Sequence, residues 1–401
     1  MSERISFVKI VQLDIQGFRS LKNVSWYPGD LNVVIGPNGS GKSNLLRMLE
    51  LISAAAQGKL ENFVSSSGGI NQLSWDGQMD LIEFSLVTLG MSEPNRAQPM
   101  QYELGIRTLS QTNDYRIDNE MLTDTITKFE SIVRGRSEGA VMHKEENGNF
   151  AEYKSSVVAK EETLLSAASS PFSPWGSKSV LADYQAPISN WSIYQDIRTD
   201  QNAPVRQAPI SRLEQRVSPD GQNLINVLHT LYSTNRNFKQ DINDAMFAAF
   251  GADFDELTFP PAADQRIQMR VRWKTLKREQ STADLSDGTL RFLFLITVLA
   301  SPNPPPLIAI DEPETGLHPS MLPIIAEFAV EAATRTQVIF TTHSDQFLSA
   351  FRDTRPTVTI AKWENGETTL ATLDDSELAY WLKDYSLGKL FRSGELENLA
   401  S

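Results

Sequence analysis

The octapeptide Gly36-Pro37-Asn38-Gly39-Ser40-Gly41-Lys42-Ser43 constrains this chain more than any other stretch of it. It follows an apolar, β-type run (Leu31, Val33, Val34, Ile35) and opens a helical pattern in which Leu45, Leu46, Met48, Leu49 and Ile52 recur at helical spacing. A glycine-rich turn between strand and helix lets successive backbone N–H groups converge on phosphate oxygens. The helix N-terminus adds positive potential, Lys42 a mobile charge and Ser43 a hydroxyl for Mg²⁺. Asn38, Gly39, Ser40, Gly41, Lys42, Ser43 and Asn44 are therefore the expected nucleotide-binding residues, with a nucleoside triphosphate and Mg²⁺ as ligands. The helix is expected to end near Gly58.

A chain of 401 residues, 40% hydrophobic and 22% charged, can bury a large core and hold two or three structural units. No run approaches the roughly 18 uninterrupted apolar residues of a membrane span. Zero cysteines exclude disulfides and thiolate-held metal, and four histidines leave little for a metal site beyond nucleotide-bound Mg²⁺. These features point to the cytoplasm. The net charge of −13 argues against a surface that coats nucleic acid, while leaving room for a local basic groove.

Short alternating segments from about 80 to 155 predict an antiparallel sheet (Leu81–Leu86, Tyr102–Ile106). The Ser/Pro-rich stretch 166–178 reads as a loop, and helices are expected over 221–232 and 238–250. Arg266–Trp273 alternates as one strand. A strongly apolar helix over 290–299, a buried strand Leu307–Glu312, a helix over 320–334 and a strand Gln337–Thr342 follow. Buried strands alternating with helices at both ends imply a largely parallel sheet. Neither an internal repeat nor sustained heptads occur.

Asp311, at the end of its strand, is placed to hold Mg²⁺ with Ser43, and Glu312 to polarise the attacking water, with Glu314 a second candidate. Leu285-Ser286-Asp287-Gly288 precedes the apolar helix. On its own it reads equally as an ordinary N-cap; followed by the paired acids, it reads as a second anion site made by the Ser286 hydroxyl and the Gly288 backbone. His343, in Thr341-Thr342-His343-Ser344, reads as a γ-phosphate sensor. Pro313–Pro319 is a turn into the next helix and, functionally, a loop crossing to a second subunit.

Together these segments resemble ABC-type ATPase heads of the branch containing SMC and RecF proteins and the overcoming-lysogenisation-defect nucleases. Gly17-Phe18-Arg19-Ser20 resembles that branch's N-terminal strand ending and Gly36–Asn44 its phosphate loop. Leu285–Gly288 resembles the signature, Asp311-Glu312 the Walker B pair, Glu314–Pro319 the D-loop and His343 the switch histidine. The tail Tyr385–Gly394 resembles the ending of small bacterial predicted ATPases, many encoded in antiphage or mobile-element operons. Two departures stand out. The resemblance places a Mg²⁺-contacting glutamine soon after the first helix, where Gln72, Gln78 or neither fills the place, and His318 occupies a D-loop position where transporters commonly carry aspartate.

The resemblance implies a P-loop α/β fold: a largely parallel central sheet, an antiparallel β subdomain and a helical insertion. The expected organisation is an N-terminal lobe over 1–90, an inserted region over 91–264 and a C-terminal lobe over 265–401. It implies an ATPase in which two copies sandwich ATP, because both anion sites lie on one face of a head and cannot reach one γ-phosphate within a chain. The expected role is the switch of an antiphage complex with a separate effector. A RecF-like repair ATPase that binds DNA ends or gaps is the alternative, and a transporter subunit a weaker one, given the long separation of Ser43 from Leu285. The short stretch after His343, in which Asp374-Asp375 reads as a turn, leaves no room for a nuclease domain.

Overall fold

The computed structural model describes residues 8–77, 79–93, 96–109, 114–128, 130–134, 139–144, 150–154, 159–169, 180–351, 354–373 and 386–396. Gln78, Asp374-Asp375, Tyr385 and most of the 166–178 loop lie outside the described residues. The chain divides into two compact units, one of residues 1–191 with 357–373, the other essentially of 192–356 with 374–399.

The first unit carries an antiparallel sheet. Its strands are β1 (Val8–Phe18), β2 (Leu21–Trp26), β4 (Leu81–Glu93), β5 (Arg96–Leu109), β6 (Asp114–Asp124), β7 (Glu130–Arg134), β8 (Gly139–Lys144) and β9 (Phe150–Lys154). They lie in the order β2-β1-β4-β5-β6-β7-β8-β9, as the alternation predicts. Phe18 pairs with Leu21, so Arg19-Ser20 forms the tip of the β1–β2 hairpin, with Arg19 in the left-handed region at φ 48°. β3 (Leu31–Ile35) is buried throughout and pairs in parallel with β18 (Thr357–Glu364), which turns back into β19 (Glu367–Thr372). That hairpin turns on Asn365-Gly366, both with positive φ, as a two-residue turn between right-twisted strands requires.

Helix α1 (Lys42–Gln57) follows β3 and ends on Gly58 in the left-handed conformation, and all five residues of its expected apolar face are buried. Helix α3 (Val180–Ser189) is tied to it: the Ser53 hydroxyl donates to the Ile188 carbonyl at 3.0 Å and the Gln185 amide to the Ala56 carbonyl at 2.6 Å. Buried Glu120, on β6, accepts from the Leu164 and Leu165 amides and the Tyr102 hydroxyl at 2.7–2.9 Å. Burial still pushes its carboxyl above the usual range.

In the second unit β10 (Ser192–Tyr194), β16 (Leu307–Asp311) and β17 (Gln337–Thr342) pair in parallel. Their near-continuous apolar runs fit strands covered on both faces. Helices α4 (Leu224–Thr234), α5 (Arg236–Phe250), α6 (Asp287–Leu299) and α7 (Leu322–Ala332) match the expected patterns. The run Arg266–Trp273 does not form one strand. It divides into β13 (Arg266–Ile267), paired with β12 (Pro261–Ala262), and β14 (Arg270–Trp273), which lies between β11 (Phe254–Thr258) and β15 (Gln280–Ser281). The break falls where the Gln268 amide bonds the Pro260 carbonyl and its side chain accepts from Arg270. Helix α8 (Asp345–Ala350) supports the tail helix α9 (Leu387–Arg392); a Cβ on Gly388 would stand 2.0 Å from the Asp345 carbonyl, so only glycine lets them approach.

Candidate functional site

The phosphate loop leaves β3 at Gly36, where a Cβ would lie 2.2 Å from the Ala361 carbonyl on β18. Gly39 and Gly41 take φ of 82° and 95°. A Cβ on Gly41 would meet the Thr368 hydroxyl at 2.0 Å and that of Ser20 at 2.7 Å. Ser20 in turn accepts from Asn44 Nδ2 and Thr368 Oγ1, each at 2.7 Å, and its carbonyl accepts from the Thr368 amide. The loop is thus pressed between the β1–β2 hairpin tip and β19. Ser20 carries the resemblance's N-terminal motif, whereas Thr368 and Ala361 had no local signal, because register between distant strands sets their positions.

Lys42 is only 5% exposed and folds its ammonium onto the Gly36 and Pro37 carbonyls at 2.8 and 3.0 Å. The Ser40 hydroxyl is buried with no hydrogen-bond partner among the described residues. A buried unpaired hydroxyl is costly, and it stands in a turn that glycine keeps clear of side chains. Both features suit a phosphate group. Asn38 and Ser43 are exposed at the mouth of the turn, and the first turn of α1 carries no acid.

The paired acids, the histidine and the signature belong to the second unit. Asp311 ends β16 and accepts from the Thr341 hydroxyl on β17. Glu312 leaves the strand with φ 45°, although its amide still reaches the Thr341 carbonyl at 3.0 Å. A glutamate in the left-handed region stores backbone strain, and such residues concentrate at functional positions. His343 Nδ1 lies 2.9 Å from Glu312 Oε1 and 3.9 Å from Glu314 Oε1. Glu314 accepts from the Thr342 hydroxyl at 2.5 Å and has its second oxygen buried without a partner among the described residues. Burial raises its carboxyl above the usual range, and the Thr342 bond offsets only part of this. Glu312, partly exposed and held by His343, has the better geometry for a base; Glu314 is enclosed.

Ser286 caps α6, accepting from the Thr289 amide at 3.1 Å and sharing a 2.8 Å bond with its hydroxyl. The cap reading therefore holds. A Cβ on Gly288 would lie 2.6 Å from the Gly316 carbonyl, so the signature loop rests on the turn after the paired acids. His318 accepts from the Ser320 amide at 3.3 Å and introduces the turn before α7. Gln72 is exposed in the short turn Ile70–Gln72, and Gln78 lies outside the described residues. Ser43 and Asp311 offer hard oxygen donors of the type Mg²⁺ prefers. No cluster of three or more His, Cys, Asp or Glu side chains able to hold a metal occurs among the described residues. No described helix is long and apolar enough to cross a membrane.

Solved structures share this fold, two of them as follows. A crystal structure of an Smc head bound to the C-terminal winged-helix domain of ScpA is 15% identical at a TM-score of 0.54, covering 93% of this chain and 99% of that one. An Smc head domain with an extended coiled coil, bound to the C-terminal domain of ScpA and derived from Pyrococcus furiosus, is 13% identical at a TM-score of 0.52, covering 94% and 99%. No curated protein matches the chain. The fold is that of an SMC-type ATPase head: a P-loop NTPase with parallel α/β pairings, an antiparallel sheet and added helices. Residues 31–349 match the family described as "AAA domain, putative AbiEii toxin, Type IV TA system", and the chain belongs to that family.

Proposed function

We propose that this protein binds ATP with Mg²⁺, closes as a head-to-head homodimer around it, and hydrolyses it slowly to reopen. The observation that carries the reading is the phosphate loop: a glycine-bearing turn at a helix N-terminus, holding a buried unpartnered hydroxyl and a lysine folded onto its own carbonyls. Asn38, Gly39, Ser40, Gly41, Lys42, Ser43 and Asn44 grip the triphosphate. Ser43 and Asp311 are the residues that would hold Mg²⁺, which when bound neutralises phosphate charge. Glu312, oriented by His343, takes the proton of the attacking water, and His343 turns to the γ-phosphate. Ser286 and the Gly288 backbone of a second copy supply the opposing anion site. Each charge-assisted bond to the γ-phosphate contributes on the order of 1.5–3 kcal/mol, enough for two symmetric sites to decide whether the closed dimer exists.

In biological terms the protein is the cytoplasmic switch of an antiphage system with a separate effector, on the strength of its tail and of the family. The test is the solution mass of the Glu312→Gln variant. Doubling with ATP and Mg²⁺ but not with ADP supports the reading; a wild-type protein that neither binds nor hydrolyses ATP overturns it.

One observation favours the second reading, a RecF-like protein on DNA. In the second unit a surface cavity of about 780 Å³ in this chain of net charge −13 is lined by Arg270, Arg272, Lys274, Lys277 and Arg278 together with Asp255, Glu279 and Asp284; Arg270 and Arg272 pair with Glu279, so the positive excess rests on Lys274, Lys277 and Arg278. Salt-sensitive retention of gapped DNA, lost on Lys277→Glu with Arg278→Glu, would decide for it.

A further inference from the structure

The signature loop contains an electrostatic contradiction. A helix N-terminus that is to receive a triphosphate should be free of negative charge, yet Asp287 occupies the first turn of α6 with its side chain 62% exposed, between Ser286 and Gly288. The structure also contains its resolution. Arg206, from the short turn Pro204–Arg206, is 9% exposed, and its guanidinium is directed at this loop. One terminal nitrogen donates to the Leu285, Thr282 and Ala283 carbonyls at 2.7, 3.1 and 3.3 Å. The other is paired with the Asp287 carboxylate. Nε anchors the fork to the Thr199 carbonyl at 2.8 Å and, more weakly, to that of Asp200 at 3.2 Å, while the Thr282 hydroxyl donates back to the Arg206 carbonyl at 3.0 Å.

We propose that Arg206 is the positioning residue of the signature: it fixes the peptide before Ser286 and neutralises Asp287, so that the N-terminus of α6 accepts the triphosphate of ATP bound by a second copy. This rests on the sandwich reading above. The reasoning is geometric and electrostatic. A trans peptide is planar, with its C=O and N–H pointing in opposite directions. Drawing the Leu285 carbonyl onto the guanidinium therefore turns the Ser286 amide away from Arg206. Only a planar fork with several fixed donors reaches three carbonyls and a carboxylate at once; an ammonium does not. Without Arg206, the unpaired Asp287 charge would face incoming γ-phosphate across a few ångströms, where like charges repel strongly.

The experiment measures turnover and, separately, equilibrium ATP affinity at protein concentrations too low for dimerisation. Arg206→Gln is expected to lower kcat by about 10- to 30-fold, the effect of roughly 1.4–2 kcal/mol, with affinity changed by less than about 2-fold. Adding Asp287→Asn is expected to recover at least about 3-fold of that loss, since the unpaired charge is gone. A structural prop alone would not respond to the second substitution. Should Arg206→Gln fail to fold, Asp287→Asn by itself, on an exposed side chain, is expected to lower the ATP concentration needed to dimerise a Glu312→Gln background by about 3-fold, because Arg206 then carries an unbalanced positive charge. The proposal is overturned if Arg206→Gln weakens ATP affinity as much as turnover, if Asp287→Asn recovers nothing, or if Asp287→Asn alone leaves dimerisation unchanged. A wild-type protein that hydrolyses ATP but does not dimerise removes the sandwich and the proposal together; one that does both while the variants fail these expectations removes the proposal alone.

Discussion

The phosphate loop and the signature loop are both glycine-bearing turns at helix N-termini, yet they are built in opposite ways. The phosphate loop takes its shape from its own glycines, from a hairpin tip and from β19, and carries no acid in the first turn of its helix. The signature loop carries Asp287 and is oriented by an arginine some eighty positions earlier in the chain. One turn is permanently suited to an anion, and the other only while a remote side chain holds it. The proposed cycle, a steady grip on nucleotide and a reversible closure around it, would use both.

Gly41→Val strikes the steady half of this comparison and should have the broadest effect, since losing nucleotide removes turnover as well as binding. Its Cβ would overlap Thr368, and the residue would be held at φ 95° at a cost of about 1–3 kcal/mol. ATP affinity in an equilibrium titration is expected to fall more than about 100-fold, on the order of 2.7 kcal/mol or more; retained binding would break the comparison. Glu312→Gln should leave binding intact and lower single-turnover hydrolysis by about 10²- to 10⁴-fold, the usual range for a lost general base. Ser286→Ala should sharpen the conditional half: about a 10-fold loss of turnover at unchanged ATP affinity, with about 1 kcal/mol of stability lost with the cap and visible as a lower melting temperature. The smallest effect is expected of Glu314→Gln. Burial raises the Glu314 pKa in the folded protein, so its contribution to stability is complete below the unfolded carboxylate range and is lost as pH rises through the folded value. The variant should therefore melt above the wild type by a few degrees at pH 8 and by less at pH 4. A gap that stays constant with pH would refute the assignment.

Much of this was legible because it is local. The helix after the phosphate loop, the alternating strands of the antiparallel sheet and the buried run Leu307–Asp311 each announce themselves through a period set by neighbouring residues. Chain order singles out Asp311, Glu312 and His343, and the structure brings them together in the second unit through adjacent strands β16 and β17. What escaped is non-local. Thr368 and Ala361 press on the phosphate loop because β18 pairs with β3 across more than three hundred positions, a register no window can contain. Arg206 lies in a stretch without periodicity, and its role appears only when its guanidinium is placed against the carbonyls of Thr282, Ala283 and Leu285. The division of Arg266–Trp273 between two small sheets has the same origin: alternation marks extended backbone but not its partner.

At position 312, robustness and turnover pull apart. A glycine would sit there without torsional penalty, and a thermally selected variant library should enrich for it, since relief of a left-handed glutamate offsets the added freedom of the unfolded chain. Persistence of glutamate under those conditions would mean that selection for chemistry outweighs selection for endurance. The handicap of this one residue then becomes a readable trace of what the protein is kept for.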